Sequence, residues 1–65
     1  MHATYEVKGS NIFIDYTSST GECLLGERVI LPPMFKGDPQ QVAYNHASVR
    51  ASTQGIRLEA LRRAA

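Results

Sequence analysis

One cysteine, no tryptophan and no long apolar run mark this 65-residue chain, and each scarcity excludes something. Cys23 alone cannot build a disulfide framework, so a reducing, intracellular setting is expected rather than a secreted scaffold. No charged-then-apolar signal peptide opens the sequence, and no stretch approaches the ~18 apolar residues of a membrane helix. A cytoplasmic protein with no membrane partner is the expectation.

Catalytic and metal-binding signatures are equally sparse. Structural zinc sites take close ligand pairs such as C-x2-C or H-x3-H, and this chain has one Cys and two widely spaced His. There is no G-x-G-x-x-G and no Walker lysine, so neither metal nor cofactor is expected. A Cys/His pair could in principle activate a thiolate. Cys23, however, sits in the apolar run CLLGERVIL, where a thiol is expected to pack as a small buried hydrophobe. His46, among Asn, Ala and Ser, is expected to face solvent or to cap packing, and His2 to lie in a frayed terminus. No catalytic residue is expected, and the chain reads as non-enzymatic.

Sixty-five residues make one small domain. A chain this short buries only about 60% of the surface its unfolded form exposes, and its core supplies about 3–5 kcal/mol. Without disulfides, added stability is expected from self-association, most simply a homodimer, or from a partner. An apolar fraction of 43% is ordinary for a folded domain. The net charge of +1 conceals a split. Residues 1–38 carry Lys8, Arg28 and Lys36 against five acids, a net of −2, whereas residues 39–65 carry four arginines against Glu59, a net of +3.

What is present begins with a hairpin. ATYEVK and NIFIDY are rich in β-branched and aromatic residues, and the intervening Gly9-Ser10 is a two-residue turn signal. With those two as the loop, Lys8 faces Asn11, Val7 faces Ile12, Tyr5 faces Ile14 and Ala3 faces Tyr16. One face then becomes apolar and the other holds Thr4, Glu6, Lys8, Asp15 and Thr17, together with Phe13. TSSTGE reads as a second turn. CLLGERVIL reads as a third strand, with a bulge or bend at Gly26 and a stop at Pro32 and Pro33. Residues 1–31 thus form an antiparallel meander, and residues 32–37 a loop.

Residues 38–65 are expected to be helical. Asp38 suits the N-cap, Pro39 the first helical position, and Gln41 the third position of a capping box. Val42, Val49 and Ile56 recur every seven residues, with Ala43, Ala47 and Ala51 on an adjoining strip. STQG is weak helix material, so a break near Thr53–Gly55 and two helices are expected, the second over RLEALRRAA. A strand over VAYNHASVRAS is the competing assignment. The fold class is therefore α+β, a three-stranded antiparallel meander in the order β-β-β-α, packed against a C-terminal helical segment.

Three functional readings follow. The first is a small regulator or inhibitor that binds another protein, using Phe13 on the charged face of the hairpin and Met34 and Phe35 in the proline-bracketed loop. Aromatics and methionine are enriched at interface cores, though Met34 and Phe35 could equally close the loop over the core. The second is a dimeric nucleic-acid binder using Arg50, Arg57, Arg62 and Arg63, since helical arginines can neutralise phosphates or read guanine. Against it, Arg62 and Arg63 would complement a helix C-terminus, Glu59 and Arg63 would form an i, i+4 pair, and the pI of 7.9 is low for such modules. The third is a structural subunit of a larger assembly.

Overall fold

The structure, a computed structural model, describes residues 1–64. It is α+β, with one mixed four-stranded sheet and one helix. The elements run β1 (His2–Lys8), β2 (Asn11–Thr17), β3 (Cys23–Ile30), α1 (Pro39–Thr53) and β4 (Ala60–Arg63). Across the sheet the order is β3-β2-β1-β4.

The hairpin register is the expected one. Ala3 pairs with Tyr16, Tyr5 with Ile14, Val7 with Ile12 and Lys8 with Asn11. Gly9 takes a φ of 59°, which glycine adopts without a Cβ clash. Alternation then buries Ala3, Tyr5, Ile12, Ile14 and Tyr16 on one face. The amino terminus is not frayed. His2 pairs with both Thr17 and Ala60, and Met1 is buried.

Strand β3 joins β2 antiparallel, but its irregularity is not at Gly26. The register slips between Tyr16 and Thr17, which face Leu25 and Cys23, so Leu24 is the extra residue. Gly26 sits in regular register opposite Asp15. Its lack of a side chain serves another purpose, because Asp15 Oδ1 lies 3.1 Å from where a Cβ would stand. Cys23 is exposed rather than packed in the core.

Helix α1 starts as expected, with Pro39 in the first turn and the Asp38 side chain accepting from the Gln40 amide at 2.9 Å. The reciprocal half of a capping box is not formed, because the Gln41 amide donates to Asn45 instead. The alanine strip, not the heptad of branched residues, is the buried one. Ala43, Ala47 and Ala51 are buried, while Val49 and Ile56 are exposed. Small residues at i, i+4 and i+8 let the helix backbone approach the sheet, where Ile12, Ile14 and Tyr16 already fill the space.

The helix ends in a paired cap at the expected break. Gly55, at φ 68°, donates to Ser52 at 3.1 Å, and the Ile56 amide donates to Ala51 at 2.9 Å. Among the described residues no second helix follows, and the expectation of a helical segment is overturned over residues 56–64; residue 65 lies outside the described residues. Ala60–Arg63 instead pairs parallel with β1. Ten residues are too few for a helix to hold against its nucleation cost, while the free edge of β1 offers backbone partners. Glu59 donates to Met1 at 2.9 Å and Ala64 to Tyr5 at 2.7 Å. Leu61 packs against the core. The helix is the crossover that a parallel pair requires. It carries the chain from β3 at one sheet edge to β4 at the other.

Among the described residues, no helix is long and apolar enough to cross a membrane.

Candidate functional site

The helix covers the sheet unequally. It lies against β1, β2 and β4, and no helix Cα comes within 8 Å of a β3 Cα. The inner face of β3, with Leu25, Glu27 and Val29, is therefore only partly covered. One side-chain bridge spans the gap, from Arg50 Nε on the helix to Glu27 Oε1 on β3. His46 Nδ1 stands 4.0 Å from the other Glu27 oxygen. An apolar recess of about 260 Å³ lined by Asn45, His46 and Val49 opens beside them.

Tyr16 belongs to the same corner. Its hydroxyl is buried without a hydrogen-bond partner. Burial, reinforced by the Glu27 carboxylate, pushes its pKa up to about 12. Sequence reasoning missed this cluster. Glu27 lies at an inward position of an alternating strand, and that was the available signal.

The opposite face of the sheet carries no helix. Phe13 lies near its centre, between Glu6 of β1 and Arg28 of β3, and is 38% exposed. Ile30 is its diagonal neighbour on the same face and is 66% exposed. Around them stand Thr4, Lys8, Asn11 and Asp15.

The loop resolves into two different roles. The Phe35 amide donates to the Pro32 carbonyl at 3.1 Å, so residues 32–35 form a turn with Pro33 and Met34 at its tip. Met34 is 81% exposed. Phe35 does not join the core. Its ring folds back over Gly37, where ring carbons come within 2.7 Å of the position a Cβ would take. Phe35 is thus a local clasp on its own loop.

The four arginines do not share a surface. Arg50 is held by Glu27, and Arg57 is exposed in the segment after the helix. Arg62 stands opposite Thr4, and Arg63 opposite Tyr5 at the end of β4. Since β4 is a strand, the helix-end role of Arg62 and Arg63 does not apply. The Glu59–Arg63 pair does not form either. Glu59 instead takes the Met1 ammonium at 2.9 Å and the Ser19 hydroxyl at 2.8 Å. Those two hydrogen bonds, the ammonium first, hold its carboxyl below the usual range.

Among the described residues, no three His, Cys, Asp or Glu side chains converge as a metal site would require. Compared with known proteins, the chain matches no family model, no curated protein and no solved structure.

Proposed function

We propose that this is a small non-enzymatic regulatory protein that binds another protein through the uncovered face of its sheet, with Phe13 as the anchor. The observation that carries the reading is Phe13 itself, an aromatic ring at the centre of a helix-free face with exposed Ile30 on its diagonal. Aromatic anchors ringed by polar groups are the usual energetic centres of protein interfaces. Glu6, Arg28 and Asn11 supply such a rim here. Met34, at the tip of its turn, is a second contact that a partner reaching past the end of β3 would meet. Phe35 serves by stiffening that turn. An exposed Cys23 thiol fits a reducing compartment, which supports a cytoplasmic setting.

The test is Phe13→Ser. It should abolish partner capture with the thermal midpoint little changed, because the ring lies on the sheet face opposite the buried core. Capture at the wild-type level by that variant overturns the reading.

Nucleic-acid binding is the second reading, and the outward Arg62 and the exposed Arg57 and Arg63 are what favour it. Each arginine that contacts phosphate should contribute about 1 to the log-log salt slope. Titration of a labelled random duplex with wild type and Arg62→Ala measures that contribution.

A further inference from the structure

We propose that β3 is a self-pairing edge, along which two copies of the chain join antiparallel from Leu25 to Val29 to form one eight-stranded sheet. This stands independently of the partner reading above.

The sheet has two edges, and they differ. Strand β4 is four residues long and carries Arg62 and Arg63, which is how natural sheets blunt an edge. Strand β3 is eight residues long, and beyond its bulge at Leu24 it runs in regular register from Leu25 to Ile30, with Ile30 exposed. Its one inward charge, Glu27, is already neutralised by Arg50.

The backbone fixes which registers are open. Leu31 donates to Ser10 at 2.7 Å, so Leu31, Val29, Glu27 and Leu25 turn their amides toward β2. Ile30, Arg28 and Gly26 therefore present theirs to the free edge, a pattern that ends at the Leu24 bulge. A second β3 must match even positions with even positions, which also keeps the inner faces of both sheets on one side.

Three such registers overlap well, and side chains choose among them. Pairing Arg28 with Arg28 sets face to face two like charges that have no counter-ion within 4.0 Å among the described residues. Pairing Gly26 with Gly26 sets Leu25 against Glu27. The third register centres on Glu27. It sets Leu25 against the second copy's Val29 and Gly26 against its Arg28. Both half-covered inner residues then gain an apolar neighbour. Five residue pairs, from Leu25 to Val29, span about 17 Å.

Charge completes the match. Asp15 leans over Gly26 toward this edge, with Oδ1 3.1 Å from a would-be Cβ. Among the described residues, neither Asp15 nor Arg28 has an ion-pair partner within 4.0 Å. The Glu27-centred register brings the second copy's Arg28 directly across from Gly26, where no side chain blocks its path to Asp15. Symmetry makes that ion pair twice. The two Glu27 carboxylates meet at the axis, each with its own Arg50.

Sedimentation equilibrium of the full chain at about 100 µM should return twice the monomer mass. Asp15→Lys or Arg28→Glu alone should shift the population to monomer, and the two together should restore the dimer. In a Cys23→Ser background, Glu27→Cys should crosslink two copies under mild oxidation, because residues facing across the axis lie about 4.5 Å apart at Cα. A monomer at every concentration overturns the proposal. So does a dimer indifferent to both charge reversals, or crosslinking at Gly26→Cys or Arg28→Cys in place of position 27.

Discussion

Arg50 reaches from helix α1 to Glu27 on β3, and this bridge, with His46 4.0 Å from the other Glu27 oxygen, ties the corner that the helix backbone leaves open. Glu27 is largely covered, its side chain 16% exposed, while Arg50 is the wetter partner at 39%. Removing one member of such a pair leaves the other charge without its partner, whereas an apolar pair of similar size can replace both. Arg50→Met and Glu27→Leu should each lower the thermal midpoint. Glu27→Leu with Arg50→Met should recover most of that loss. Thermal melts of the four proteins check this, and additive losses across the cycle would dissolve the bridge as a coupled unit.

Tyr16 carries a buried hydroxyl beside the Glu27 carboxylate with no hydrogen bond of ordinary geometry, and a group left in that state costs about 1–3 kcal/mol. Tyr16→Phe should therefore stabilise the fold by about 1 kcal/mol in urea unfolding at neutral pH. The pH dependence has a definite sign. The folded pKa, at about 12, lies above the ordinary value of 10.0, so the folded state holds the proton longer than the unfolded chain. This contribution is fully present below pH 10 and fades as pH climbs toward 12. Tyr16→Phe should remove that part of the alkaline loss.

Glu59 acts at the acid end. Its carboxyl is held below the usual range by the Met1 ammonium and the Ser19 hydroxyl. A depressed carboxylate contributes stability above its ordinary pKa of about 4.3 and loses it as pH falls through the folded value. Glu59→Gln should lower stability at pH 7 and flatten the decline below pH 4. Unfolding curves for both proteins across that range measure the difference.

Ala47 tests the packing of the helix. Its Cβ faces the sheet with no exposure, among neighbours that already fill the layer. Ala47→Leu should cost about 1–3 kcal/mol by overpacking. Val49→Leu, two residues on and on the exposed side of the helix, should change the urea midpoint little.

The hairpin was legible because two signals agreed: a Gly-Ser turn, and alternation that separates Tyr5 and Ile14 from Glu6 and Asp15. The start and end of the helix were legible for the same reason, since Asp38-Pro39 and Gly55 are local chemistry. Its buried face was not. Seven-residue spacing pointed to Val42, Val49 and Ile56, but a helix lying flat on bulky Ile and Tyr side chains needs its small residues inward. Strand β4 was hidden by propensity, because RLEALRRAA favours helix and only the vacant edge of β1 makes it a strand. That one reassignment separated the arginines. Phe13 was legible as a surface residue from register alone, whereas the Glu27–Arg50–Tyr16 corner depends on how the helix lies across the sheet.

The most direct measurement of the central claim is quantitative capture from a nuclease-treated lysate of the source organism, run side by side with wild type, Phe13→Ser and Arg62→Ala. Recognition of a protein through the Phe13 face predicts a species retained by wild type and Arg62→Ala and lost with Phe13→Ser, at equal melting temperature. A species retained by Phe13→Ser and lost with Arg62→Ala, or one that disappears from all three on nuclease treatment, would contradict it.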